Sequence, residues 1–421
     1  MLEYINWNYK PSRNDLIAVY YLEPNNISLE EAAENIAAES SIGTWTDVAT
    51  LNRDIANRLK PNIFDIDRKN SIIKIAYSDE LFEENNIPQI MSSIAGNIFG
   101  MGIVNNLRLL DIEFPKSIVT KFQGPRYGIE GIRKILKVKQ RPLVGTIIKP
   151  KVGLSAKEHA RVAYQAWMNG LDIIKDDENL TNQNFNRFRE RISETLKYRD
   201  LAEYKTGEKK MYVPNITAET LEMLRRMEYV RENNGECIMV DVFTVGFSAL
   251  QTLRKYSKEV IHGHRAMHAA ITRNKKHGIS MLALSKLYRL IGIDQLHIGA
   301  IVGKMEGEAK EVIKIGDEIE DSLVKADKKL NIMEQKWYNI KPMMPVCSGG
   351  LHPGKIPKLM KYMGNSLIMQ FGGGCHGHPD GTEAGARAIR QAVDATMKGI
   401  SLKEYAKKHI ELDKALNKWG M

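Results

Sequence analysis

The chain has 421 residues and a formal net charge of +10, and 43% of its residues are apolar while 27% are charged. This length suggests about two or three domains, and this balance is typical of a globular protein rather than a disordered or fibrous chain. The sequence contains no apolar run long enough to span a membrane and no apolar leader, so we expect neither a membrane span nor secretion. The sparse cysteines, Cys237, Cys347 and Cys375, show no paired spacing, which favours a cytoplasmic location.

The excess of 61 Lys and Arg over 51 Asp and Glu has two interpretations. A nucleic-acid-binding scaffold would concentrate its cations in a stripe with interleaved aromatic side chains. Here the cations are spread along predicted helices and stand beside acids, as Arg225 and Arg226 do. A solvated basic surface is the simpler interpretation, and the same field would attract a small polyanionic substrate. We therefore expect no nucleic acid and no membrane among the partners, with the nucleic-acid scaffold kept as an alternative.

The chain up to about residue 123 has the pattern of an α+β domain. Alternating or continuous apolar runs predict strands at 15–23 and 71–78, and helical periodicity predicts helices at 28–40 and 87–101. Ser28 is placed to cap the first of these helices, with Glu31 three residues later. The second is expected to turn at Gly100.

From about residue 124 short apolar runs alternate with helical stretches, which is the pattern of repeated βα units and a parallel sheet. The runs lie at 143–149, 171–175, 211–217, 237–243, 259–265, 295–303, 342–350 and 366–374. Their number and spacing predict an α/β fold, with a C-terminal (β/α)8 TIM barrel preceded by the α+β N-terminal domain. We place the domains at 1–123, 124–400 and 401–421, the last being a C-terminal helical tail.

Each apolar run starts with buried-type residues and ends in groups that can do chemistry. The ends carry Lys149, Lys175 with Asp176, Asp177 and Glu178, Asn215, Asp241, His264 with Arg265, His297, Ser348, and Gly372 to Gly374. Barrel enzymes build their active sites at the carboxyl ends of their strands. The sequence therefore predicts a catalytic site at that end of the barrel.

The motif KDDEN at 175–179 indicates a site for a hard cation such as Mg²⁺, because two or three adjacent carboxylates supply oxygen ligands. A charged βα loop is the alternative. Lys175 bears on the choice between these two interpretations, because an ammonium group and a divalent cation repel each other. If its amine reacts with CO₂, the resulting carbamate is an anion that can ligate the metal.

Two further segments fit an anionic substrate. Lys149 ends a buried strand, where desolvation would lower its pKa towards use as a base, although a solvated loop lysine is an equal alternative. The glycine-bounded loop at 299–307, with Lys304 near its tip, could close over a ligand as a lid. The glycine clusters at 348–350 and 371–374 end the last two strands, where barrel enzymes often hold a phosphate on backbone N–H groups.

Two histidine-rich segments could suggest zinc. His264 and His268 are four residues apart, but no third ligand lies nearby, so Arg265 in the same segment is better interpreted as a phosphate fork. The segment CHGHPDG at 375–381 is too compact for a tetrahedral site, and a turn with structural histidines is the favoured interpretation.

Together and in this order, these segments resemble one family, the large subunit of ribulose bisphosphate carboxylase/oxygenase. The resemblance runs from AAESSIGTWT at 37–46 through GNIFG, GTIIKPKVGL, KDDEN, HGHRAMHA, HIGAIVGKMEG, PVCSGG and QFGGG. The segments HGHRAMHAA and HPDGTEAG look like the archaeal form III branch of that family.

The resemblance implies a role for each matched position. Lys175 would be carbamylated and bind Mg²⁺ with Asp177 and Glu178, so that the cofactors are Mg²⁺ and CO₂ as a lysine carbamate. The other catalytic residues would be Lys149 and His264 as proton acceptors and Lys304 with Glu39 at the transition state. The substrate-binding residues would be Thr44, Trp45, Asn97, Lys151, Arg265, His297, Ser348, Gly349, Gly350, Gln370, Phe371, Gly372 and Gly373.

The implied reaction is enolisation of ribulose-1,5-bisphosphate followed by addition of CO₂, or of O₂ as a side reaction, to give 3-phosphoglycerate from the carboxylation. The implied assembly is a homodimer with shared active sites, which can associate further and needs no small subunit. AMP or nucleotide salvage is the implied pathway. A carboxylase-like enolase or isomerase on the same fold is the alternative, although such proteins generally lose several of the residues named above.

Overall fold

The computed structural model describes residues 2–44, 46, 49–301 and 309–421. The strands are β1 Asp15–Pro24, β2 Asn62–Asp67, β3 Ile72–Ser78, β4 Val104–Glu113, β5 Leu143–Ile147, β6 Ile173–Lys175, β7 Met211–Val213, β8 Cys237–Asp241, β9 Val260–His264, β10 Gly278–Ile279, β11 Gln295–His297, β12 Leu323–Val324, β13 Gln335–Lys336, β14 Met344–Ser348 and β15 Ile368–Phe371.

The α-helices are α1 Leu29–Glu39, α2 Arg53–Leu59, α3 Ile87–Ile94, α4 Lys116–Val119, α5 Gly128–Leu136, α6 Ala156–Met168, α7 Phe188–Thr206, α8 Thr220–Glu232, α9 Val242–Tyr256, α10 His268–Thr272, α11 Met281–Ile291, α12 Ala309–Glu320, α13 Ile356–Met363, α14 Gly373–His376, α15 Gly381–Met397, α16 Leu402–Ala406 and α17 Ile410–Trp419. Among the described residues, none of these helices has both the length and the apolar character needed to cross a membrane.

The chain divides into two compact units. The first unit runs to Gly124 and adds Met267–Ile291 and Asp321–Lys341, and the second consists of Pro125–Ala266, Gly292–Glu320 and Pro342–Met421. The boundaries predicted from the sequence treat each domain as one continuous stretch. The segment Met267–Ile291 joins the first unit because it supplies β10, which pairs with β4, and α11, which packs on β4. The segment Asp321–Lys341 joins it through Gln335, whose side chain bonds to the backbone N and carbonyl of Phe114.

The first unit is built on a five-stranded sheet in the order β10-β4-β1-β3-β2. The central strand β1 pairs antiparallel with β3 and β4, and most of its side chains are buried because both of its edges and both of its faces are covered. Helix α1 begins at the predicted cap, where the Ser28 hydroxyl accepts a bond from Glu31 N at 3.1 Å. The helix predicted at 87–101 ends earlier, at Ile94, and a short 3-10 turn, Asn97–Gly100, follows it.

The second unit is a barrel of eight parallel strands in the order β7-β6-β5-β15-β14-β11-β9-β8. A parallel bridge between Asn215 and Met239 joins β8 to the segment after β7 and closes the ring. Every apolar run predicted as a barrel strand contains one of these strands, so the (β/α)8 prediction is confirmed. Apolar side chains fill the interior at one end, among them Leu143, Ile173, Met211, Met239, Val260, Met344 and Ile368.

Two buried carboxylates tie the amino ends of the barrel strands together. Asp172 accepts two 2.6 Å bonds from the Arg141 guanidinium and one from Val144 N in β5. Asp294 accepts from Arg254 at 2.9 Å, from Ile261 N in β9 and from Tyr127 N before α5. These bonds link the amino ends of neighbouring strands and helices, at the end of the barrel opposite the carboxyl ends of the strands.

Candidate active site

A cavity of about 550 Å³ lies at the carboxyl ends of the barrel strands, where the sequence predicts the site. Most of its lining residues lie in β5, β6, β9, β11, β14 and β15 or directly after them: Ile147, Lys149, Lys151, Lys175, Glu178, His264, His297, Ser348, Gly349, Gly350, Leu351, His352, Gln370, Gly372, Gly373, Gly374 and Trp419. Twelve of them are predicted site residues. Three are lysines and one is a glutamate, so the cavity suits an anionic ligand.

Lys175 ends β6 and is fully buried. Its Nζ lies 3.9 Å from Glu178 Oε2 and donates to the Asp176 carbonyl at 2.7 Å. Burial lowers the pKa of Lys175, against the opposing charges of Glu178 and Asp177. A larger fraction of the amine is therefore neutral than in an exposed lysine, and a neutral amine is the form that reacts with CO₂.

Asp177 and Glu178 turn towards this amine and its neighbours. Asp177 Oδ2 accepts from Lys149 Nζ at 2.7 Å, and Glu178 Oε1 lies 3.7 Å from Lys151 Nζ. Burial alone would raise the pKa of Glu178, but the charges of Lys175 and other cations outweigh it and lower the pKa. Carboxylate oxygens such as these are the ligands that Mg²⁺ prefers.

Asp177 and Glu178 are oxygen donors of the kind that Mg²⁺ binds, and Lys175 could add a further ligand as a carbamate. Within the described part of the chain, no group of three or more His, Cys, Asp or Glu side chains is arranged to hold a metal ion. Asp177 and Glu178 supply two carboxylates, and a carbamate on the adjacent Lys175 would supply the third anionic ligand. The residues present therefore fit the cation together with the carbamate.

The middle carboxylate of the motif, Asp176, is directed away from the cavity. Its two oxygens accept from Tyr212 OH at 2.6 Å, from Arg191 Nε at 3.0 Å and from Asn215 N at 3.0 Å. Asp176 is fully buried, and although burial would raise its pKa, the Arg191 charge and its hydrogen bonds hold that pKa well below its usual range. Asp176 therefore anchors the loop, whereas Asp177 and Glu178 are directed towards the lysines of the cavity.

His264 ends β9 beside the same carboxylates. Its Nδ1 lies 2.8 Å from Asp241 Oδ1, and its Nε2 lies 3.7 Å from Glu178 Oε2. Burial and the nearby Lys175 charge lower the pKa of His264, so the ring is neutral near pH 7. Asp241 Oδ1 and the Ala266 backbone N both lie within hydrogen-bond distance of Nδ1, whereas Nε2 faces Glu178 at the cavity.

A second group lies on the neighbouring strands β11 and β14. His297 Nδ1 is 2.9 Å from Ser348 Oγ, and the rings of His264 and His297 stand 4.7 Å apart. Gly349 and Gly350 follow Ser348 with φ of 103° and 66°, a conformation that favours glycine and brings the backbone to the cavity without side chains. Gly299 lets Arg265 approach closely, because a Cβ there would lie 2.6 Å from the guanidinium.

Several predicted site residues lie elsewhere. The Phe371 side chain is buried, and its carbonyl accepts from Thr146 Oγ1, so only its backbone is near the strand end. In the first unit, Asn97 Nδ2 donates to Glu39 Oε1 at 3.2 Å, and Thr44 lines a separate cavity. Trp45 and Lys304 are outside the described residues.

The histidines of the CHGHPDG segment bond to protein groups. His376 lies between Thr146 Oγ1 at 2.9 Å and Thr382 Oγ1 at 3.0 Å, and His378 Nε2 donates to the Glu411 carbonyl. Cys375 is buried, which raises the pKa of its thiol to about 12. These contacts agree with the structural interpretation of the segment.

Sequence reasoning missed His262 and gave Asp241 no role in the site. Asp241 orients His264, and His262 lies beneath His297, with their Nε2 atoms 2.8 Å apart. The sequence does contain a signal for His262. Side chains two residues apart in a strand point to the same face, and His262 stands two residues before His264.

Models of one family match nearly the whole chain. The ribulose bisphosphate carboxylase large chain N-terminal domain matches residues 3–118, and the catalytic domain of the same large chain matches residues 128–419. The ribulose bisphosphate carboxylase of Methanocaldococcus jannaschii is 53% identical, over 99% of this chain and 100% of the relative. That of Pyrococcus abyssi is 47% identical, over 100% of this chain and 96% of the relative.

Solved structures give the same result. The dimeric archaeal Rubisco from Hyperthermus butylicus has a TM-score of 0.94 and 45% identity, with 99% of each chain covered. The octameric Rubisco from Pyrococcus horikoshii, in complex with a sulfate ion, has a TM-score of 0.93 and 46% identity, covering 99% of this chain and 96% of that one. With the barrel, the strand-end lysine and its carboxylates in place, this chain belongs to the ribulose bisphosphate carboxylase large chain family.

Proposed function

We propose that this chain is a ribulose-1,5-bisphosphate carboxylase whose reaction depends on Mg²⁺ and on a carbamate formed at Lys175. The observation that carries the proposal is the buried Lys175 amine 3.9 Å from Glu178, with Asp177 beside it. Lys175 lines the cavity beside these carboxylates, where a carbamate would turn it into an anionic ligand. In that step Nζ forms a bond to the carbon of CO₂ and releases a proton.

The metal would be held by the Lys175 carbamate, Asp177 and Glu178. When bound, Mg²⁺ would supply positive charge that polarises the ketone of the substrate. Removal of the adjacent C3 proton then needs a base, and we assign Lys149 and His264 as the proton acceptors. His264 suits this role because protein groups hold its Nδ1 and leave Nε2 directed towards Glu178 at the cavity.

The remaining residues would bind the two phosphates and shield the reaction from water. We assign Arg265, His297 and Ser348 to one phosphate, and Gly350, Gly372 and Gly373 to the other. The further substrate contacts proposed from this unit are Lys151, Gly349, Gln370 and the Phe371 backbone. Lys304 is proposed to stabilise the transition state.

The assembly that fits this proposal is a homodimer with shared sites. Glu39, Thr44, Trp45 and Asn97 belong to the N-terminal part of the chain, and we propose that they complete the site of a partner subunit. Relatives with solved structures include a dimer and an octamer, which supports association of this chain into a dimer or a larger assembly. We expect no small subunit. We expect O₂ to compete with CO₂ and the enzyme to work in the cytoplasm, in nucleotide salvage.

The test is fixation of ¹⁴CO₂ by the purified chain with ribulose-1,5-bisphosphate and Mg²⁺. The proposal expects acid-stable label in 3-phosphoglycerate, and it expects none when the sugar bisphosphate is omitted. Consumption of the sugar bisphosphate into an isomer without label would identify an enolase or isomerase instead. Salt-sensitive binding of duplex DNA, with no turnover of the sugar, would favour the nucleic-acid scaffold.

A further inference from the structure

A chain of hydrogen-bonded side chains runs from the barrel interior to the cavity. Gln295 Oε1 lies 2.7 Å from His262 Nδ1, His262 Nε2 lies 2.8 Å from His297 Nε2, and His297 Nδ1 lies 2.9 Å from Ser348 Oγ. Gln295 and His262 are fully buried, and neither lines the cavity. Neither has a role in the function proposed above.

The Gln295 side chain, at the buried end of this hydrogen-bonded chain, determines which atom donates in each bond. The Gln295 Nε2 atom lies 3.8 Å from the Met211 sulfur, and a thioether can only accept. The amide nitrogen therefore belongs on the Met211 side, and the amide oxygen faces His262. Because that oxygen accepts, His262 Nδ1 must carry the proton.

The next bonds follow from the neutrality of both rings. Burial and the charge of Lys175 lower the pKa of His262 to about 3, so its Nε2 has no proton and accepts. His297 Nε2 must then donate to it. Burial, with His264 and His262 nearby, also lowers the pKa of His297, so its Nδ1 accepts and the Ser348 hydroxyl donates.

We infer that Gln295 and His262 are positioning residues that hold His297 in the Nε2–H tautomer and thereby orient the Ser348 hydroxyl. Neither would touch the substrate. Without the Gln295 oxygen, His262 could carry its proton on either ring nitrogen, and the tautomer of His297 would change with it. The Ser348 hydroxyl would then have no single orientation towards a bound anion. The identity of that anion as a sugar phosphate rests on the proposed function.

The test combines histidine NMR with kinetics on the full chain. In protein labelled with ¹⁵N at histidine, long-range correlations distinguish protonated from unprotonated ring nitrogens. The wild type is expected to show Nδ1–H for His262 and Nε2–H for His297, without ligand and with inorganic phosphate. Gln295→Leu is expected to give mixed tautomers at both rings, and Gln295→Glu, which keeps an acceptor oxygen, is expected to retain the wild-type pattern.

The kinetic readout separates positioning from general destabilisation. In Gln295→Leu the KM for ribulose bisphosphate is expected to fall about tenfold while kcat changes less, because His297 can then donate from Nδ1 to Ser348 Oγ and leave the hydroxyl proton free for a phosphate oxygen. Gln335→Leu is the matched control, since Gln335 is a fully buried glutamine that bonds to Phe114 N in the first unit. It is expected to keep the wild-type KM.

The opposite tautomer at His297 in the wild type would overturn the inference even if the variants failed to fold. So would a single unchanged tautomer in Gln295→Leu, or an equal fall in KM in Gln335→Leu. A wild-type chain that does not turn over ribulose bisphosphate would contradict the proposed function instead, and the NMR result with phosphate would still decide the role of Gln295 and His262.

Discussion

At the scale of single residues, the motif KDDEN shows what a sequence can and cannot predict. Adjacent carboxylates after a buried strand correctly indicate a cluster of charge around Lys175. Which carboxylate faces inward depends on residues distant in the chain, since Asp176 is bound by Arg191 from α7 and Tyr212 from β7. No local pattern contains that information.

The anchoring role of Asp176 predicts a large stability cost for losing its cation. Arg191→Met leaves a buried carboxylate without its charge partner, and we expect about 3–5 kcal/mol less stability in urea unfolding at pH 7. Arg225→Met, which removes an exposed arginine from α8, is the control and should change stability by less than about 0.5 kcal/mol. A loss in Arg191→Met no larger than in this control would contradict the anchoring role.

The same contact predicts a pH dependence. The folded-state pKa of Asp176 is lowered, so its contribution is complete above the unfolded carboxyl pKa of about 3.9 and is lost as pH falls towards the lower folded value. The stability difference between wild type and Arg191→Met should therefore shrink as unfolding is measured at increasingly acid pH.

At the scale of secondary-structure elements, the barrel strands could be predicted because each is a short apolar run with polar residues at its end. The strand β10 could not, because it is two residues long and forms only by pairing with β4. The segment around it belongs to the first unit for the same reason. Hydrophobic periodicity reports local elements, whereas membership of a unit depends on long-range pairing.

The contacts of Asp294 predict how the elements of the barrel are held together. Asp294→Ala removes the acceptor for Arg254, Ile261 N and Tyr127 N at once, and we expect about 3–5 kcal/mol of lost stability. Asp294→Asn keeps one acceptor oxygen and should lose less. The urea midpoints of the two variants would check both expectations, provided that the dependence of the unfolding free energy on urea concentration is unchanged. Equal midpoints for the two variants would contradict the role given to the Asp294 oxygens.

At the scale of the whole molecule, the proposed sharing of sites predicts complementation between inactive variants. Glu39→Gln and Lys175→Ala should each be nearly inactive. In hybrid dimers one site carries both defects and the other carries neither, so random pairing should restore activity to about a quarter of wild type. Hybrid dimers confirmed by differential tagging that remain inactive would place Glu39 outside the partner's site.

The central claim is that Lys175 becomes a carbamate ligand, and preincubation tests it most directly. Incubating the protein with bicarbonate and Mg²⁺ before adding ribulose bisphosphate should raise the initial rate of carboxylation. Lys175→Arg should be inactive under all conditions, while Lys210→Arg, at a buried lysine that bonds to Glu208 and the Leu171 carbonyl, should still be activated. A full initial rate without preincubation, or activity in Lys175→Arg, would contradict the account.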